Sequence, residues 1–371
     1  MMKILFQSRT TLFTVPGGDT TQMLMTKEYL EKLGVTVDIS TELEPDASNY
    51  DIVHAFNLVR PQEVYLQLRN AKRYRKPTAL STVYCTNDEY DLKARTGIPG
   101  VFARLLGPQR FEYAKVAARM LVNGELNKGT LNYFRYGHRS LQKQICDMVD
   151  MYLPNSESEM HRVIADMKLT RYDYVVVPNA MDANLYRYDS CVVPDELQQF
   201  KDCILCVARI EGRKNQLNLV RAVKGLPWKL VLIGQPAPNH VDYYRKIQKE
   251  AGSNVVILGY LPLEKLPAYY KIAKVHVLAS WMETTGLSSL EAGAMGCNLV
   301  ITDKGDTRDY FGNDAFYCEP DSVESMRVAI IKAHQCAKNL ALRERIVKDY
   351  RWERTAERTY DGYRKVLKEH F

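Results

Sequence analysis

Apolar positions along the chain follow two alternating rhythms. Short unbroken runs rich in Val, Ile and Leu read as strands buried on both faces; stretches with apolar residues three or four apart read as helices. In the first half, MKILFQ (2–7), VTVDIS (35–40), DIVHAF (51–56), PTALST (77–82), MYLPNS (151–156) and YVVVPNA (174–180) read as strands. DTTQMLMTKEYLEKLG (19–34), closed by Gly34, and PQEVYLQLRNAKRYR (61–75) read as helices. The rhythm restarts with the strand CILCVAR (203–209). WKLVLIG (228–234), NVVILG (254–259), VHVLAS (275–280) and NLVITD (298–303) follow as strands, separated by helices over 215–226, 242–252, 263–273 and 285–296. Between the halves, 182–200 has no clear period and reads as a linker. Repeated strand-then-helix order predicts an α/β fold of two Rossmann-like domains, each a parallel sheet with helices on both faces. The last segment, 350–371, reads as a charged amphipathic helix.

Composition changes this picture little. A chain of 371 residues is long enough for two cores. No apolar run reaches the ~18–20 residues of a membrane span, and MMKILFQSRT suits a first strand better than a leader. Eight scattered cysteines fit a reducing compartment, so a cytoplasmic protein is expected. Charge adds more. The chain carries +7 overall, yet 60–143 alone holds 16 Lys and Arg against 6 Asp and Glu, a net of +10. Such a stretch suits an anionic partner (lipid headgroups, a diphosphate-bearing substrate or nucleic acid) or is a solvated helical face. Within it, 100–121 is basic and apolar together. It reads as an amphipathic helix pair, as a membrane-surface segment or as a cover over a cleft.

Candidate chemistry gathers at predicted strand ends, where ligands of parallel α/β sheets bind. ETTGLSSLE (283–291) follows the strand 275–280 and places two carboxylates eight positions apart across a glycine. Glu283 falls in the loop. Thr285 and Gly286 open a helix, and the free N–H groups of Gly286 and Leu287 make an anion site there. Glu291 stands beside the buried face of Leu287, Leu290 and Ala294; a carboxylate so placed is costly unless something binds it, and a ribose diol would. The bland alternative is a loop acid and a solvated helical acid. ARIEGRKNQ (208–216) puts Arg209 at a strand end and Lys214 at the next helix, two cations suited to a diphosphate or simply surface charges near a turn. PGGD (16–19) lets a ligand approach Gly17 and Gly18 closely, or is a plain tight turn. GYLP (259–262) offers the backbone of Tyr260 and Leu261 to a nucleobase, or only ends a strand. CILC (203–206) lies inside a predicted strand with no second ligand pair at metal spacing, so no metal site is expected.

Taken together these segments resemble the family 4 (group 1) retaining glycosyltransferases of GT-B fold, most strongly over 150–370. The resemblance rests on Glu283 and Glu291 inside ETTGLSSLEAGAMGC, on ARIEGRKNQ, on LPNSESE (153–159) and VVPNAMD (176–182), and on the closing YRWERTAERTY. It implies two Rossmann-like domains facing a central cleft. The first, 1–185, would be the acceptor side, with the closing helix of about 352–371 crossing back to it; the second, 186–351, would be the nucleotide-sugar donor side. It also implies roles. Arg209 and Lys214 would hold the donor diphosphate, Glu291 the ribose and Glu283 the transferred sugar. Thr285, Gly286, Leu287, Tyr260 and Leu261 would complete the donor site, with Gly17 and Gly18 approaching from the first domain. No metal and no cofactor would be needed. The histidine that many members carry after a first-domain strand is missing from ALSTVYCTNDEY (79–90), where Tyr84 or Asn87 is the candidate stand-in. The usual EGFGL segment reads ETTGL here, keeping Gly286 but losing the earlier glycine.

The expected function is therefore transfer of a hexose-type sugar, with retention, from a nucleotide-diphosphate sugar to a glycan or lipid-linked acceptor. The setting expected is polysaccharide or glycolipid assembly at the inner face of a membrane, touched peripherally through 60–143, with no nucleic acid involved. The alternatives are a nucleotide-sugar epimerase or phosphorylase on the same scaffold, and a non-catalytic binding module.

Overall fold

The computed structural model describes residues 2–123 and 126–370. Phe371 of the predicted closing helix, Met1, and Gly124 and Glu125 of the basic stretch lie outside that range. The chain divides into two compact units. Met1–Thr86, Val101–Asn179 and Trp352–Phe371 form the first; Asn87–Gly100 and Ala180–Arg351 form the second. The division falls at 179/180 rather than at 185/186, and 87–100, expected in the first domain, groups with the second.

The first unit holds a five-stranded sheet of β1 (Lys3–Gln7), β2 (Thr36–Ser40), β3 (Ile52–Phe56), β4 (Thr78–Ser81) and β5 (Met151–Tyr152), in the order β2-β1-β3-β4-β5. All neighbours pair in parallel. β3 and β4 are buried at every position, as their unbroken apolar runs demand. The closing helix Trp352–His370 belongs to this unit, with Trp352, Ala356, Thr359, Tyr363 and Val366 buried at helical spacing. Its Tyr363 hydroxyl bonds His54 Nδ1 of β3 at 2.6 Å. A Cβ on Gly362 would lie 2.6 Å from Leu153, so glycine lets the helix settle onto the sheet.

The second unit holds β6 (Ile204–Val207), β7 (Leu230–Ile233), β8 (Val255–Gly259), β9 (Val275–Leu278), β10 (Asn298–Thr302) and β11 (Phe316–Cys318), in the order β11-β10-β9-β6-β7-β8, again parallel. The chain winds outward from β6 to β8, returns to β9 beside β6, and winds outward the other way. The crevice between β6 and β9 is thus the topological switch point, where such sheets bind ligands.

Three expected stretches differ. The segment 174–180 is not a strand. It runs beside β5 with a single bridge from Tyr174 to Tyr152, because Pro154 and Pro178 interrupt a regular ladder. The supposed linker 182–200 is packed into the second unit's core, where Tyr186, Leu197 and Phe200 join a cluster with Tyr270 and Leu290. Its aperiodic sequence hides this because the chain there runs in turns and one 3-10 helix, Asp195–Phe200. Helix 263–273 starts later, at Leu266, with Pro267 in its first turn, where a missing N–H costs nothing.

Candidate donor site

In the second unit the segments singled out by sequence meet where β6 and β9 end. The turn after β6 is stitched to the exit of β9. Asn215, in the left-handed conformation (φ 64°), donates through its side-chain amide to the carbonyls of Ala279 (3.1 Å) and Pro320 (2.7 Å). The Trp281 N–H donates to the carbonyl of Arg213 at 2.9 Å. These bonds bring Lys214 against Glu283, and the two form an ion pair with little solvent around either. Burial by itself would push the Glu283 carboxyl up. The Lys214 ammonium and the Arg213 guanidinium more than offset it, so the acid is held below its ordinary value and stays charged.

The Glu283 backbone is clamped as well. Its carbonyl accepts from Asp306 N–H at 3.0 Å, and it bridges to Gly305 after β10. A Cβ on Gly305 would stand 1.9 Å from that carbonyl, and Gly305 has φ +82°, so only glycine fits. Downstream, Thr285 is buried and Gly286 caps the helix Leu287–Ala294 with φ 78°. The helix begins at Leu287, slightly later than the sequence suggests, because Gly286 is left-handed.

Glu291 projects from that helix and is only partly covered. Tyr270 donates its hydroxyl to Glu291 Oε2 at 2.8 Å. Burial pushes the Glu291 carboxyl up to about 7, with the Tyr270 and Tyr186 phenols pulling it part of the way back. No cation offsets that burial, so the two acids of one nonapeptide differ in charge near neutral pH.

The remaining candidates fall on other segments. Arg209 is exposed at the end of β6, its carbonyl accepting from Gln216 at 2.9 Å. Tyr260, exposed, and Leu261 follow β8. Gly17 and Gly18 belong to the first unit, where Gly17 caps the helix Gly18–Lys32 after β1. Tyr84 has its hydroxyl engaged within the first unit. It is buried, donates to Asp166 at 2.6 Å and accepts from Arg139 at 3.0 Å, because its ring fills the core beside β4. Asn87 groups with the second unit and precedes the short helix Asp88–Lys93. Cys203 and Cys206 are buried, and burial pushes both thiols up to about 12. Among the described residues no group of three or more His, Cys, Asp or Glu stands together to hold a metal.

Sequence reasoning missed Arg213, Tyr270, Tyr186 and Gly305. Arg213 lay inside the quoted motif, and Gly305 follows a strand as binding-loop glycines do. Nothing local marked the two tyrosines, which reach Glu291 only through the fold. In the first unit it also missed Arg9, which is buried and makes a two-pronged pair with Asp19 (2.7 and 3.1 Å), holding the PGGD turn.

Residues 195–351 match the sequence profile of the family described as Glycosyl transferases group 1. The O-antigen chain mannosyltransferase B of Escherichia coli is 25% identical over 175 residues, which cover 43% of this chain and 45% of that one. This match spans less than half the length of that relative. Among solved structures, sucrose-phosphate synthase from Thermosynechococcus elongatus superposes with a TM-score of 0.71 at 15% identity over 100% of both chains. The Anabaena protein HepE in complex with UDP and glucose gives 0.62 at 15% identity, covering 100% of this chain and 98% of that one. At such identities the likeness concerns the fold.

Proposed function

From a second unit that matches the group 1 glycosyl transferases over 195–351, in a chain with the two parallel Rossmann-like sheets of GT-B glycosyltransferases, we propose a retaining, metal-independent sugar transferase of family 4. Its donor is a nucleotide-diphosphate sugar. The observation that carries this reading is the Lys214–Glu283 pair at the switch point, one cation and one charged acid held together with little solvent around either. In this reading Lys214 and Arg209 receive the donor diphosphate, Glu283 takes hydroxyls of the transferred sugar, and Glu291 accepts from the ribose diol. The Gly286 and Leu287 N–H groups stand at the helix end toward the phosphates. Tyr260 and Leu261 border the base.

The acceptor hydroxyl attacks the anomeric carbon on the face from which the diphosphate leaves, and its proton passes to the departing phosphate oxygen. The bond from that carbon to the phosphate oxygen breaks as the new glycosidic bond forms. Fixed cations and the helix end carry the developing charge in place of a metal ion. The E. coli relative's name, with UDP and glucose bound in HepE, supports a hexose donor and a glycan or lipid-linked acceptor in surface polysaccharide assembly. No described helix is long and apolar enough to cross a membrane. A cytoplasmic place at the inner face of a membrane fits the basic stretch 60–143. Its helix Gly97–Asn123 buries Ala103 yet exposes Val101, Phe102, Leu105 and Leu106, with Arg104 and Arg110 exposed beside them.

A thermal-shift screen against UDP, GDP and ADP without added metal tests the donor reading. One nucleotide is expected to raise the melting temperature by mass action, and Glu291→Ala to abolish the rise. No shift with any of the three would remove the basis for the assignment.

A further inference from the structure

The helix Asp88–Lys93 comes from the first half of the sequence but is built into the second unit. Tyr90 is its anchor, almost wholly buried. The phenol sits over Gly212, so closely that a Cβ there would lie 2.2 Å from the hydroxyl and 3.1 Å from Cζ. Its ring also faces Trp281, with centroids 6.5 Å apart. One side chain thus touches both the turn that carries Lys214 and the loop that carries Glu283.

The flanking residues tie the helix to neighbouring segments of the same unit. Glu89 pairs with Lys304 at 3.0 Å, and the Lys304 carbonyl accepts from the Glu283 N–H at 3.4 Å. Lys93 pairs with Asp321 at 3.1 Å. Arg95 lies over the Tyr90 ring, 4.9 Å from its centroid, and pairs with buried Asp91 at 2.7 Å. The turn itself is slight. Gly212–Lys214 is a single 3-10 turn; its Gly212 N–H donates to His240 Nδ1 at 3.3 Å, and Lys214 N–H to Glu211 at 2.9 Å. A single turn takes its geometry from what bonds to it and packs on it: the Asn215 and Trp281 bonds to the exit of β9, and the Tyr90 side chain over Gly212.

We propose that Tyr90, seated on Gly212, is a positioning residue for diphosphate recognition, holding the Lys214 turn at the spacing its ligand needs. The inference rests on the donor reading of that turn. It has a selective consequence. Tyr90 packs on Gly212 and Trp281, beside Lys214 and Glu283, so its loss should disturb the diphosphate contacts before those proposed for base and ribose.

The test is calorimetric titration of the full chain with UDP and UMP, and with GDP and GMP, for wild type, Tyr90→Ala, Tyr90→Phe and Gly212→Ala. Tyr90→Ala is expected to lower the ratio of diphosphate to monophosphate affinity about tenfold or more. Tyr90→Phe should keep the ratio within about threefold, because the ring fills the seat. Gly212→Ala, which pushes the ring out with Tyr90 intact, should repeat the Tyr90→Ala result and decides the matter if that variant fails to fold. A ratio unchanged in Tyr90→Ala and Gly212→Ala, or mono- and diphosphate affinities falling together, overturns this inference alone. A wild-type protein that binds neither diphosphate overturns the donor reading and this inference with it.

Discussion

At the scale of single residues, environment separates two acids of one short motif. Glu283 has cations beside it and is held below the ordinary carboxylate value; Glu291 has only phenols and rises to about 7. The sign of the Glu291 effect follows. The folded protein holds this proton more tightly than the unfolded chain, whose value is about 4.5. Its contribution to stability is therefore complete below 4.5 and is lost as pH rises through 7. In the proposed role ribose binding would run the other way, since only the carboxylate accepts from both hydroxyls. Nucleotide affinity should rise from pH 6 to 8 with a midpoint near 7, and Glu291→Gln should flatten that profile. At pH 8 the variant should bind roughly tenfold or more weakly, the worth of a hydrogen bond to a charged group. Calorimetric titration across pH checks this; a wild-type profile without a midpoint near 7 would place the ribose elsewhere. The sequence made both acids legible, because eight positions across a glycine after a buried strand is a local pattern. It could not tell their charge states apart, because Tyr270 and Tyr186 arrive from 21 and 105 positions away.

At the scale of elements, the helix Gly97–Asn123 is turned against its own amphipathic logic. It breaks at Gly107 (φ 72°) before Pro108, and the first half hides a small residue while displaying large ones. Exposed apolar rows flanked by arginine suit a lipid headgroup boundary, where the side chains enter and the cations meet anionic lipid. The full chain should sediment with phosphatidylglycerol vesicles at low salt and much less with phosphatidylcholine, and the double variant Phe102→Ser/Leu105→Ser should stay in the supernatant. Equal binding to both lipids would discard the charge part of this reading; no binding to either would assign the surface to another partner. The sequence showed the region's charge and apolarity but not which face it turns outward. The same limit bears on two other segments. Tyr84 sits in a loop that looked like a site, yet its ring faces the core and its hydroxyl is engaged by Asp166 and Arg139. The stretch 182–200 lacks a period because turns have none, though Tyr186 and Phe200 are as buried as strand residues. Strands with continuous apolar runs were legible because burial on both faces leaves no other composition open.

At the scale of the whole chain, sequence order and structural membership part company twice. Asn87–Gly100 leaves the first half to pack with the second unit, and the closing helix leaves the second half to complete the first. The helix supplies core rather than trim. Tyr363 and Val366 are fully buried, and Tyr363 bonds a β3 histidine that is itself buried, bonded also to Ser81, and pushed by burial down to about 3. With His54 neutral throughout the physiological range, the tie does not switch with pH. Its loss would open a cavity under β3 and leave His54 one partner short, about 3–5 kcal/mol for Tyr363→Ala. The damage should be confined by membership, not by sequence distance. Hydrogen exchange of Tyr363→Ala should quicken across β1, β3 and β4, more than 280 positions upstream, while β6, β9 and β10 keep their protection. If the nearer strands β10 and β11 lost protection first, the closing helix would belong energetically to the unit it follows. If protection fell everywhere together, the two units would unfold as one cooperative body.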